Sequence, residues 1–191
     1  MKTRACLIGV CALLFVVSCG PEPAPTSPAV PSAPEPDQIM SVGFVKAILK
    51  PLGDSGVTGV VSFSVTPSGV RVEAEVNGLT PGDHGFHIHE IGDCSAPDGK
   101  SAGGHFNPAG VPHAGPGAEA AHVGDLGNLK ADKNGHARIA VMSSRATLGD
   151  GSPTDIVGRA VIVHADPDDL TSQPTGAAGG RVACGVIQSS E

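Results

Sequence analysis

The chain of 191 residues contains no tryptophan, no tyrosine and five phenylalanines, so most near-ultraviolet absorbance is missing. It also lacks a long apolar run. The stretch Cys6 to Val17 falls short of the roughly 20 residues that a membrane-spanning helix needs. No segment sustains the 3.6-residue apolar period of an amphipathic helix. Positive charge is scarce: Lys and Arg number 12 against 19 Asp and Glu, for a net charge of −7. That acidic balance argues against nucleic acid or an anionic membrane surface as a partner. What remains is one domain of ordinary size plus a tail.

The tail comes first. Lys2 and Arg4, the apolar run and small residues before Cys19 describe a secretory signal. A buried core helix is the other reading, and no amphipathic period supports it. Val16-Val17-Ser18-Cys19 resembles a bacterial lipobox, which implies cleavage before Cys19 and acylation of that residue; ordinary secretion with cleavage nearby is the alternative. Several acyl chains hold a protein at a membrane stably where one does not. From Pro21 to Asp37, seven of seventeen residues are proline. Such a stretch buries no core, tends toward polyproline II and reaches roughly 50 Å at about 3.1 Å per residue. The expected division is a signal at 1–18, a tether at 19–38 and a domain at 39–191. The expected location is the bacterial cell envelope, on the periplasmic side, with the lipid as the one membrane contact.

Loss of Lys2 and Arg4 leaves ten basic residues against nineteen acidic ones, near −9. With Cys6 and Cys11 removed and Cys19 acylated, Cys94 and Cys184 remain in the domain. Two cysteines in an exported domain are expected to form one disulfide.

The domain reads as β. Val61–Val65 and Val70–Val76 alternate apolar and polar residues, with Pro67-Ser68-Gly69 as the turn between them. Further strand candidates are Gly43–Lys50, Phe86–His89, His136–Met142, Val157–His164 and Arg181–Val186, and Asp132-Lys133-Asn134-Gly135 reads as another turn. Two long connections, about Glu90–Asn128 and Ala165–Gly180, are rich in glycine and proline. Long structureless loops inside a compact domain are generally functional. An antiparallel barrel or sandwich with two elaborate loops follows.

Eight histidines occur, and six fall in a pattern. His87 and His89, two apart in a strand candidate, point to one face. His105, His113 and His122 follow with Asp125 in the long loop, and His164 ends a later strand. The pair alone is weak, the loop set alone could be a zinc clip, and His164 alone could be a strand-end residue. Together, nitrogen and oxygen donors of this kind suit zinc and copper. His84 and His136 are left out of the metal set, the first as structural and the second as exposed.

Gly85-Phe86-His87-Ile88-His89-Glu90 with Gly92-Asp93 resembles the copper signature of Cu,Zn superoxide dismutases. Gly104-His105-Phe106-Asn107-Pro108, His113-Ala114-Gly115-Pro116 and His122-Val123-Gly124-Asp125-Leu126-Gly127-Asn128 are similar to that family's zinc loop. Val163-His164, Asp168-Asp169-Leu170 and Gly180-Arg181-Val182-Ala183-Cys184-Gly185-Val186 extend the resemblance to about residues 40–188. It implies an all-β, immunoglobulin-like Greek-key antiparallel barrel or sandwich of about eight strands with two long functional loops. It implies copper on His87, His89, His105 and His164, and zinc on His105, His113, His122 and Asp125, one of each per subunit. Asp168 would link His87 to His113, Cys94 would bridge to Cys184, and Arg181 would draw in superoxide beside copper. The implied activity is disproportionation of superoxide to dioxygen and hydrogen peroxide, in a monomer or a homodimer.

Two features set this chain apart. Cys94 directly follows Gly92-Asp93, as in the bacterial branch, and Leu170–Thr175 is short and lacks a charged run. Anion steering then rests on Arg181 and on cations such as Lys100 or Lys130. The rival reading is a non-catalytic copper-binding envelope lipoprotein that buffers or delivers metal.

Overall fold

The computed structural model describes residues 45–189. The signal, the tether and Cys19 lie outside the described residues. Eight strands run in chain order: β1 Val45–Pro51, β2 Thr58–Thr66, β3 Gly69–Asn77, β4 Gly82–His89, β5 Asp125–Ala131, β6 Ala137–Ser143, β7 Ala160–His164 and β8 Arg181–Ser189. They close a barrel in the order β1-β2-β3-β6-β5-β4-β7-β8, with every neighbouring pair antiparallel. The crossings from β3 to β4 and from β6 to β7 give the Greek-key path, and closure leaves no edge strand.

Alternation places the side chains. On β3, Val70, Val72, Ala74 and Val76 face inward while Arg71, Glu73 and Glu75 face solvent. On β4 the last six residues are all buried, so both faces of that strand are covered. Phe86 and Ile88 enter the barrel core, each stabilising it by about 1.5–3 kcal/mol. His87 and His89 therefore point out of the barrel, beneath the long loops. Likewise Val161 and Val163 of β7 face the core, while Ala160 and Ile162 face outward. Those two pack with Leu52, Ala102 and Cys184 in a second apolar cluster outside the wall.

The main departures from the sequence expectation are at β5 and at the starts of β4, which begins at Gly82 rather than Phe86, and β7. The first long loop does not run to Asn128; it ends at Gly124, and Asp125–Ala131 is β5. Gly85 pairs with Asn128 and His87 with Asp125, so β5 carries an extra residue, at a bulge where Gly127 has φ 85°. A bulge breaks strict alternation. Leu126 and Leu129, three apart, are both buried in the core as a result. At the other end of the domain, Val157–Arg159 precede β7 rather than belonging to it. The second long loop does span Ala165–Gly180, between β7 and β8.

Candidate metal centre

The first long loop is stitched to the edge of β4 just past its pairing with β5. Phe106 N–H donates to Ile88 O at 2.8 Å, Ile88 N–H to Gly124 O at 2.9 Å, and Gly124 N–H to Phe106 O at 3.0 Å. A Cβ on Gly124 would lie 2.1 Å from Ile88 O, so only glycine lets the loop come this close. The stitching brings His105 beside the strand histidines, with its ring centroid 4.0 Å from His87 and 5.1 Å from His89. His164, at the end of β7, closes the set at 4.9 Å from His87 and 5.6 Å from His89.

In each ring of this first group one nitrogen is bonded and the other is not. His87 Nε2 donates to Asp168 Oδ2 at 2.7 Å, and His89 Nδ1 to Gly103 O at 3.0 Å. His105 Nδ1 lies 2.9 Å from Asp125 Oδ1, and His164 Nδ1 donates to Gly179 O at 3.3 Å. The opposite atoms, His87 Nδ1, His89 Nε2, His105 Nε2 and His164 Nε2, are buried and have no hydrogen-bond partner. Because the bonded nitrogen carries the proton, the other keeps its lone pair. Four such lone pairs within 4.8 Å of one another suit a shared cation.

The second group is organised by a carboxylate. His105 Nδ1, His113 Nδ1 and His122 Nδ1 stand 2.9, 3.0 and 3.2 Å from the single atom Asp125 Oδ1. His122 Nδ1 makes no hydrogen bond with it despite that distance. Four ligands at about 2.0–2.1 Å from a tetrahedral ion are about 3.3 Å apart, so these spacings approximate the edges of a coordination tetrahedron. Asp125 Oδ2 accepts the N–H groups of Ala114 and His122 at 3.2 and 3.0 Å. His105 presents one nitrogen to each group.

Protonation states match metal binding, which requires neutral imidazoles and an ionised carboxylate. Burial, then the neighbouring His105 and His164, hold His87 well below its ordinary value. Burial lowers His89 to about 2 and His164 to about 4, against hydrogen bonds to Gly103 and Gly179 that favour the charged forms. His122 is also lowered, chiefly by burial. For Asp125 burial favours the acid form, but His105, the Ala114 N–H, His113 and His122 outweigh it and lower the carboxyl.

Asp168 ties the groups together: Oδ2 takes His87 Nε2, and Oδ1 takes His113 Nε2 at 2.9 Å. Asn128 fixes its backbone with two 2.8 Å hydrogen bonds. A Cβ on Gly176, where φ is 66°, would fall 1.9 Å from Asp168 Oδ1. At the start of β8, half-buried Arg181 donates Nη1–H to Gly99 O at 2.5 Å and Nη2–H to Gly103 O at 2.6 Å. Gly103 O also accepts from His89. The Cys94–Cys184 disulfide, with Cα atoms 5.8 Å apart, anchors that loop to β8.

Every site residue expected from the sequence within the described range joins this assembly. His84 is buried with Nδ1 2.9 Å from His164 O and Nε2 2.8 Å from Thr80 O, while His136 is exposed. Lys100 is spent on Asp98 at 2.8 Å, and exposed Lys130 pairs in register with Asp83. Three supports were not anticipated. Arg159 stacks 3.5 Å over the Phe106 ring, Arg145 donates to the carbonyls of Pro116 and Ala118, and Gln173 grips the backbone of His113. Nothing in their sequence surroundings marked them.

Residues 57–187 match the family described as copper/zinc superoxide dismutase (SODC). The chain belongs to this family. A similar solved structure is a crystal structure of the clock protein EA4, 39% identical, with a TM-score of 0.69. The match covers 78% of this chain and 95% of that one. Membership in the superoxide dismutase family agrees with the closed eight-stranded barrel and with two donor groups that could hold metal ions.

Proposed function

We propose that this protein disproportionates superoxide, with copper on His87 Nδ1, His89 Nε2, His105 Nε2 and His164 Nε2. Zinc is held by Nδ1 of His105, His113 and His122 and by Asp125 Oδ1. The observation that carries the reading is the convergence of four buried, unpartnered ring nitrogens. Copper, when bound, supplies one-electron oxidation and reduction, so that two superoxide anions and two protons become dioxygen and hydrogen peroxide.

The chain's own residues bind, orient and protonate. Arg181 has five N–H groups, of which two are committed to Gly99 and Gly103, leaving three for a small anion. Its fixed charge offsets locally the net charge, near −9 after loss of Lys2 and Arg4, that would repel the substrate. His105 Nε2 would hold either copper or a proton but not both, and in its protonated form would deliver that proton to the reduced oxygen species. Asp168 and the carbonyls of Gly103 and Gly179 keep the ring tautomers and ring orientations that binding needs.

The test is superoxide disproportionation by the copper- and zinc-loaded protein beside its His164→Ala variant. Fast copper-dependent turnover that collapses in the variant supports the enzyme. Tight copper binding with turnover no faster than free solution would replace it with the copper-buffering reading.

The same proposal assigns the enzyme to a bacterial cell envelope, protecting it from superoxide. Residues 1–18 act as the export signal and acylated Cys19 holds the domain through the tether at 19–38. Fatty-acid labelling of the expressed chain should be lost in Cys19→Ser. Labelling that survives the substitution rules the anchor out.

A further inference from the structure

Leu170–Thr175, the short uncharged segment of the second long loop, meets the first loop at His113. Gln173 makes that contact with its carboxamide. His113 N–H donates to Gln173 Oε1 at 2.8 Å, and Gln173 Nε2–H donates to His113 O at 2.8 Å. A third bond, from Nε2–H to Thr171 O at 3.0 Å, orients the amide within its own loop. The assignment of oxygen and nitrogen is forced, since the backbone N–H needs an acceptor and both carbonyls need donors. The side chain therefore closes a two-bond ring on the main chain of a residue 60 positions away.

Among the described residues, His113 is the one histidine whose two ring nitrogens both face carboxylates, Asp125 at 3.0 Å and Asp168 at 2.9 Å. Asp168 comes from the same loop as Gln173, and Asp125 from β5. His113 itself sits in loop backbone with no strand to hold it. A ring held between two fixed oxygens tolerates little displacement of its Cα, and the carboxamide sets that Cα. We propose that Gln173 is the positioning residue for His113, and that it sets how tightly the second donor group retains zinc. This rests on the reading that His105, His113, His122 and Asp125 hold zinc.

Partners that orient a metal ligand typically change metal affinity 10- to 100-fold when lost. Three variants of the full chain separate positioning from loop stiffness. Gln173→Leu removes the carboxamide, and with it both bonds to His113 and the one to Thr171. Gln173→Glu keeps the acceptor for His113 N–H and loses the donor. Ser172→Ala removes the neighbouring 2.5 Å bond to Asp169 and touches no part of His113. Zinc affinity is measured by competition with a chromogenic chelator, and cobalt(II), loaded in place of zinc, reports the ligand field by its visible absorption.

The expected result is about tenfold weaker zinc binding with an altered cobalt spectrum in Gln173→Leu. Gln173→Glu falls between that variant and the parent, and Ser172→Ala matches the parent. Parent-like zinc affinity in Gln173→Leu would overturn the proposal. So would an equal loss in Ser172→Ala, because the effect would then belong to the loop as a whole. A parent whose zinc binding is indifferent to His122→Ala removes the zinc reading itself, and the proposal with it.

Discussion

The two donor groups share His105 and are built on opposite principles. The first takes His87, His89 and His164 from β4 and β7, so barrel hydrogen bonds fix three of its four rings before any ion arrives. Its donor atoms have no partner among the described residues. The second takes His113 and His122 from loop backbone and gathers them on the carboxylate of Asp125. A strand-built set of neutral nitrogens leaves the charge of a bound cation uncompensated, which favours an approaching anion. A loop-built set with an anionic member compensates the ion and converts its binding energy into loop order. Rigidity and charge are thus divided between the two sites.

The largest effect should come from His164→Ala, which removes a strand-borne donor. Copper-dependent turnover should fall to the rate of free solution, while zinc affinity stays at the parent value because His164 is not in the second group. A parallel loss of zinc, read by chelator competition, would mean that the two groups fold as one and that the division is wrong.

Acid should divide the groups next. In metal-free protein His89 and His164 are lowered to about 2 and about 4, and His87 well below its ordinary value, against roughly 6.5 in an unfolded chain. The unfolded state then binds protons that the folded state refuses. The stability associated with these groups is fully present above about pH 6.5 and is lost as pH falls toward the folded values, by up to about 1.4 kcal/mol per pH unit for each histidine. In the second group His122, also lowered by burial, shares this window, whereas Asp125 loses its contribution only below the carboxylate range, near pH 4 and under. Urea midpoints of the metal-free protein should therefore hold from pH 7.5 to about 6.5 and then drop steadily toward pH 5. A flat profile would contradict the burial argument for the first group.

The regular half of this molecule was legible in its sequence and the irregular half only in part. The alternation of Val70–Val76 names β3 and its inward face, and H-x-H spacing puts His87 and His89 on one side of a strand. β5 was lost because the bulge at Gly127 spaces Leu126 and Leu129 three apart. The ligand residues could be read from motifs, but the choice of ring nitrogen could not. For His89, His164 and His122 that choice is made by carbonyls of Gly103, Gly179 and Val111, and a main-chain oxygen leaves no mark on residue identity. Gln173 and Arg145 escaped for the related reason that their partners are backbone atoms.

The sharpest cut between the two groups is Asp168→Asn, smaller in effect than either change above. The carboxylate accepts His87 Nε2–H on one oxygen and His113 Nε2 on the other, and Leu170 N–H also donates to it at 2.7 Å. An asparagine of nearly the same shape keeps one acceptor and turns a donor toward the second ring. One imidazole then loses its partner and either shifts or changes tautomer, which moves a ring proton onto a nitrogen meant for metal. Loss of a carboxylate that orients a ligand histidine typically costs 10- to 100-fold in affinity or activity. If the amide oxygen stays with His87, zinc affinity should fall by about that factor and turnover by less; the reverse pattern would assign it to His113. An equal loss of both metals would show that Asp168 acts through loop order, as Gly176 packed against its oxygen requires, rather than through either ring.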